Sequence, residues 1–261
     1  MLNAAYSCMM AGCCAAATMA RALVLPLLLA STQASGPVVA PGQRYDLRDW
    51  QLQTCLQSPR VVSNASLVTY TDKNFFLSGD GAIVMITPDN ASAMTTHSTH
   101  PRTEFRETGF PDWHLDAGSH AMNLTTAVAR VSNTTGETII MQIHGSVDEE
   151  IAKVLKLRWT RTQLHHGKVE ARVKKTVAPY AEIGLDCGTY ALNATLDVQV
   201  VVSGAKLTVT VNGKSAQYAP PFNKQDTYYF KAGDYSQCKP CGTVGEYAEV
   251  RLSKLSTRHD R

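Results

Sequence analysis

After residue 36 the chain breaks into short runs rich in β-branched residues, separated by turn-forming residues. Almost no stretch carries the three-to-four-residue period of a helix. The clearest hairpin signal is Lys206 to Val211 followed by Asn212-Gly213, a dipeptide that accepts the positive φ angles of a type I′ turn. A second pair of runs flanks Ser203-Gly204, and a third predicted hairpin joins Ala127 to Val131 with Thr138 to His144 across Asn133-Thr134-Thr135-Gly136. The segment Tyr45 to Leu52 predicts a short turn or strand that starts the domain. These signals are antiparallel, and no repeat, linker or shift in composition interrupts residues 36–261. The expected fold is all-β, a single β-sandwich of jelly-roll type.

The first 35 residues read differently. They hold no Asp or Glu and one Arg, Arg21, followed by the apolar run Ala22 to Ala30 and the small or polar residues Ser31 to Gly36. This predicts a cleaved signal peptide over residues 1–35, with cleavage near Ala34 or Ser35 and translation starting at Met1 or Met19. Nine apolar residues are too few for a membrane span, which needs about 20. The protein is therefore expected to be secreted, with no membrane association after cleavage. Cys8, Cys13 and Cys14 leave with the leader, and Cys55, Cys187, Cys238 and Cys241 are expected to form two disulfides in an oxidising compartment. A metal site would need denser Cys and His clusters than these, so neither metal nor cofactor is expected. Five sequons, at Asn64, Asn90, Asn123, Asn133 and Asn193, are predicted surface positions open to glycosylation.

Removing the leader takes one cation, so the 25 Lys and Arg fall to 24 against 22 acids, a net charge of about +2. That is no polybasic field and points away from nucleic acid. A polyanionic partner would need the cations gathered in one groove. Strand alternation shows where this happens, because residues two apart share a face. Arg102, Glu104 and Arg106 share one face while Phe105 enters the other. Ile140, Gln142 and His144 share a face above an apolar side of Ile139, Met141 and Ile143. Tyr229, Lys231, Gly233, Tyr235 and Gln237 align in the same way. A single sheet face carrying Arg, Gln, His, Lys and Tyr has the chemical content of a cleft for an anionic sugar. The histidines outside these rows, His97, His100, His114, His120, His165 and His166, are expected at the surface or in loops. Trp50, Trp113 and Trp159 are expected in packing.

The three rows resemble polysaccharide lyase family 7, the alginate lyases. Its motifs stand in order as Arg102-Thr103-Glu104-Phe105-Arg106-Glu107, Gln142-Ile143-His144 and Tyr229-Phe230-Lys231-Ala232-Gly233-Asp234-Tyr235-Ser236-Gln237, and weaker similarity covers nearly all of residues 36–261. Two positions depart from the family pattern. Phe105 replaces a smaller aliphatic residue, and Asp234 replaces an apolar or neutral one; alternation turns both away from the cleft.

The resemblance implies a monomeric catalytic domain over residues 36–261 that acts on an acidic polysaccharide, alginate. The proton at C5 of a uronate is removed and the C4 oxygen expelled, leaving a 4,5-unsaturated end. Because C5 lies beside a carboxylate, the leaving proton builds further negative charge there, and donors must be in place to neutralise it. The resemblance assigns this to Arg102 and Gln142, and assigns base and acid to His144 and Tyr235. Arg106 and Lys231 are expected to bind neighbouring carboxylates, with Glu104 among the substrate-binding residues as the group that orients the arginines. Ionising Tyr235 near neutrality would need help from Lys231 and Arg102, which implies an alkaline optimum. Ile143 is associated with guluronate-containing substrate. Two alternatives share these features: a non-catalytic acidic-polysaccharide-binding sandwich, and a lyase of the same design acting on glucuronan.

Overall fold

The computed structural model describes residues 39–260 except 92, 96, 97, 111, 147–152, 177–180, 223 and 240–243. The expected leader, His97 and Cys241 lie outside the described residues. A 3-10 turn (Pro41–Gln43) precedes β1 (Trp50–Gln53) and β2 (Val61–Val62), and a single helical turn, α1 (Asn64–Leu67), follows. Next come β3 (Phe75–Leu77), β4 (Ile83–Pro88), β5 (Arg102–Glu107), β6 (Ser119–Arg130) and β7 (Glu137–Gly145). The chain continues through β8 (Lys153–Gln163), β9 (His166–Thr176), β10 (Ala181–Ala191) and β11 (Leu196–Ser203). It ends with β12 (Lys206–Val211), β13 (Lys214–Tyr218), β14 (Tyr228–Ser236) and β15 (Tyr247–Asp260). Two antiparallel sheets result, ordered β10-β9-β8-β7-β14-β5-β1-β2 and β13-β12-β11-β6-β15-β4-β3. This is the expected jelly-roll sandwich.

The three polar motifs, far apart in sequence, become neighbouring strands β7, β14 and β5 at the centre of the first sheet. Their apolar faces form the core beneath the site. Phe105 is fully buried, with its ring centroid 5.9 Å from Trp50 and 5.6 Å from Phe75, the latter edge-on. Trp50, Trp113 and Trp159 are all buried, as expected.

The Asn212-Gly213 hairpin forms as predicted, with both residues at positive φ, 48° and 82°. A Cβ on Gly213 would meet nothing within 4 Å, so substitution there isolates the backbone cost. Gly213→Ala is expected to destabilise the fold by about 1–2 kcal/mol with activity unchanged, read from urea denaturation beside the turnover rate.

Four local expectations are corrected. The turn after β11 is centred on Gly204-Ala205, one residue later than predicted, because Ser203 still pairs with Lys206. The predicted hairpin across residues 133–136 does not form: β6 and β7 lie in different sheets, and the connection crosses between them. Both strands have a core face, and alternation alone does not say from which sheet each faces it. Along β7, Ile140 rather than Ile139 joins the central core, because the ladder to β8 shifts register between Ile139 and Met141. Finally, two disulfides do not form among the four cysteines. Cys238 is disulfide-bonded, but Cys55 and Cys187 are free, buried thiols. Cys55 follows β1 and Cys187 lies on β10, six strand positions away in the same sheet. That is roughly 29 Å at about 4.8 Å per strand, against the about 7 Å Cα limit for a disulfide.

Candidate active site

Antiparallel register fixes the site. On β14, Lys231 pairs with Gln142 of β7 on one side and Arg106 of β5 on the other. Tyr229 lies opposite His144, and Tyr235 opposite Arg102. Arg102, Arg106, Gln142, His144, Lys231 and Tyr235 thus line one cavity of about 290 Å³.

Gly233 faces Glu104 across the β14–β5 ladder at φ 142°. A Cβ there would sit 2.7 Å from both the Met85 sulfur and the Thr103 carbonyl oxygen, so only glycine lets the strands approach this closely.

Glu104, expected among the substrate-binding residues, has no exposed surface and does not line the cavity. It lies beneath the cavity as the hub of a buried network. One carboxylate oxygen accepts from Arg102 at 3.1 Å and pairs with the Lys231 ammonium, and the other accepts from the Gln142 amide at 2.5 Å. Burial works to raise its pKa, but Lys231 and Arg102 outweigh burial and hold it below the usual carboxylate range. Lys231 responds the other way. Burial and the charge of Arg102 push it down to about 7 although Glu104 supports its proton. One carboxylate therefore fixes three of the groups that face the cavity.

His144 donates from Nδ1 to the Gly145 carbonyl at 2.8 Å, with the Tyr229 hydroxyl 3.0 Å from the same nitrogen. A carbonyl only accepts, so the ring proton is held on Nδ1 and the lone pair on Nε2. Burial first, and Lys231 next, lower the pKa of His144 to about 3, so the ring is a neutral base across the physiological range. The Arg102 guanidinium lies 3.8 Å from the centre of the Tyr235 ring, and the Tyr235 hydroxyl is 3.1 Å from Ser98 Oγ. Arg102 also donates to Ser98 at 2.7 Å. Arg106 stacks over Tyr229 at 4.2 Å.

Asp234 points away from the cavity, as alternation predicts. It is fully buried, accepts from Thr138 at 2.6 Å, and its second oxygen accepts no hydrogen bond among the described residues. Burial pushes it up to about 7. His120 was expected at the surface but is buried against Trp113, with ring centroids 4.5 Å apart.

The cavity also contains residues that no motif indicated. Gln51 and Gln53 of β1 could have been found from alternation, since Trp50 and Leu52 between them are buried. Arg60, Met94 and Thr95 come from irregular segments, and Lys153 starts β8 without a surrounding pattern. Ser98, which touches both Arg102 and Tyr235, carried no signal either.

Comparisons with known proteins agree with this geometry. The alginate lyase family model matches residues 45–259. An alginate lyase of Klebsiella pneumoniae is 23% identical across 91% of this chain and 97% of its own length. The crystal structure of alginate lyase A1-II′, a member of polysaccharide lyase family 7, is 26% identical with a TM-score of 0.75, covering 85% of this chain and 99% of that one. An alginate lyase of Pseudomonas aeruginosa is 27% identical with the same TM-score, over 83% of this chain and all of the other. Variants of A1-II′ have been solved with the substrate GGMG and the product GGG. The family match takes in every strand that builds the cavity, and the chain belongs to the alginate lyase family, as a polysaccharide lyase.

Proposed function

We propose that this enzyme cleaves the 1,4-linked uronate chain of alginate by β-elimination, that it acts on guluronate-containing blocks, and that it does so after secretion. The observation that carries the chemistry is that His144 and Tyr235 line one cavity and that the Gly145 carbonyl holds the Nδ1 proton of His144, which leaves Nε2 as the basic nitrogen. In guluronate the C5 hydrogen and the departing C4 oxygen lie on opposite sides, which calls for two groups. His144 takes the C5 proton and Tyr235 gives one to the leaving oxygen. Arg102 and Gln142, already aligned by Glu104, meet the charge that grows on the neighbouring carboxylate. In mannuronate both positions lie on one side, and Tyr235 alone would remove and return the proton. The guluronate reading is supported by Ile143 at the centre of its motif and by the oligosaccharides bound to the A1-II′ variants.

The two routes predict different pH profiles. An ordinary histidine base loses activity as pH falls through about 6.5. With His144 held at about 3, guluronate cleavage is expected to persist between pH 7 and about 5 without a histidine limb. Cleavage of mannuronate, which needs an ionised tyrosine, is expected to have an alkaline optimum. The assay is ultraviolet absorbance of the new 4,5 double bond on polyguluronate, polymannuronate and glucuronan separately. Signal on glucuronan alone would reassign the substrate, and binding of all three without signal would make the protein a binding module. Secretion is tested by recovery of the protein from culture medium, its retention in the cells contradicting it, and leader cleavage by the N-terminus of the recovered chain.

A further inference from the structure

We propose that Arg60 and Lys153 bind substrate carboxylates on opposite sides of the reacting unit, and so set the length of chain the enzyme uses most efficiently. This inference rests on the proposed polyuronate substrate. The polymer track ends at β8, leaving the outer face of β9 and β10 outside it.

Strand order gives the layout. Lys153 lies on β8 and Arg60 immediately before β2, so they are the two ends of the series β8-β7-β14-β5-β1-β2. Five interstrand spacings of about 4.8 Å separate those ends, roughly 24 Å. Both residues line the same cavity as the reacting groups. Lys153 is the register partner of His144, one spacing from it, whereas Arg60 lies three spacings beyond the strand of Tyr235, so a chain laid across the strands would meet Lys153 at the unit next to the reacting one and Arg60 several units away on the other side.

The charge state of the surface distinguishes this track from its surroundings. Arg60 is exposed, donates to the neutral amide of Gln57 at 3.1 Å and makes no ion pair among the described residues. Lys153 makes no ion pair among the described residues. From Lys156, farther along β8, outward to β10 the pattern reverses. Lys156 pairs with Glu182, Lys168 with Glu170 at 2.8 Å, and Arg172 reaches both carboxylates, at 3.1 Å and 3.5 Å. A polyanion gains little from a cation that must first leave its own carboxylate, whereas an unpaired cation offers its whole charge. The same sheet face thus changes from receptive to self-neutralised within one strand spacing of Lys153.

The test is kcat/KM against chain length, using unsaturation absorbance on size-fractionated alginate oligomers, for wild type, Arg60→Ala, Lys153→Ala and Lys168→Ala. Wild type is expected to gain efficiency with each added unit until the track is filled. Each cavity variant is expected to lose roughly 5- to 10-fold on long oligomers and to lose less at high salt; the Arg60→Ala loss is expected to vanish on the shortest cleaved oligomer, and the Lys153→Ala loss to persist to shorter chains than the Arg60→Ala loss. Arg60→Lys should restore most of the loss, and Lys168→Ala should match wild type throughout. Unchanged length dependence in both alanine variants overturns the proposal, as does an equal loss in Lys168→Ala. If wild type cleaves no alginate oligomer, the substrate reading itself fails, a result distinguishable from a normal wild type with indifferent variants.

Discussion

Tyr235→Phe is expected to lower kcat on alginate by about 10²–10⁴, the range associated with a positioned acid or base, while the protein stays folded. The substitution is narrow. The phenyl ring keeps its place 3.8 Å beneath the Arg102 guanidinium, and only the hydroxyl and its 3.1 Å contact with Ser98 are removed. Binding of the polymer through Arg106 and Lys153 is left intact, so KM should change far less than kcat. His144→Ala gives the complementary result: activity on polyguluronate collapses, and activity on polymannuronate, which needs Tyr235 alone, is largely retained. A Phe variant within tenfold of wild type on both polymers would remove Tyr235 from the mechanism. Equal losses on both polymers in the His144 variant would contradict the division of labour between the two residues.

Glu104→Gln is expected to cost about 3–5 kcal/mol of stability, as when one partner of a buried ionic network is removed. In the wild type a single carboxylate meets Arg102, Lys231 and Gln142 with no water-exposed surface of its own. Without it Arg102 stays charged and uncompensated, and Lys231, already brought down to about 7, has lost the group that favoured its proton. The pH dependence follows from the lowered pKa of Glu104. A group whose folded pKa is depressed contributes stability above its unfolded pKa, ordinarily 4.5, and loses that contribution as pH falls through the folded value. Urea midpoints should therefore show the wild-type advantage over the variant at neutral pH and its decline on acidification. A variant as stable as wild type at pH 7 would show that the network contributes no net stability.

The sequence exposed the cavity-lining rows for a local reason. A strand presents every second residue to one side, so Arg102, Arg106, Gln142, His144, Lys231 and Tyr235 sort onto the cleft face once their segments are read as strands. Phe105 and Asp234 sort away from it by the same rule. That rule is silent on matters decided elsewhere in the chain. It placed Ala127 and Thr138 in one hairpin because each run has an apolar side, but facing sheets both present such a side to the same core. It placed Glu104 beside its arginines without showing that Lys231 and Gln142 close over it from β14 and β7. Cysteine counting met the same limit, since Cys55 and Cys187 are separated by the width of the sheet. Arg60 and Ser98 reach the site from irregular backbone, where no period marks a face.

The register shifts around Ile140 have a consequence for how the groove keeps its form. Between the same two rungs, β5 advances three residues from Arg102 to Phe105 and β14 three from Ala232 to Tyr235. Over that interval β7 advances two, from Ile139 to Met141, and β8 only one, from Leu157 to Arg158. Neighbouring strands of unequal contour length cannot lie flat together, and bulges of this kind bend a sheet. The bow of the binding surface is thus stored as a difference in residue count between adjacent strands, and not in any one side chain. Point substitutions that keep the backbone path leave it unchanged, whereas removing the single residue Ile140 would equalise β7 with β8 and raise the mismatch between β7 and β14 from one residue to two, moving the bend to that seam under an otherwise intact cavity lining.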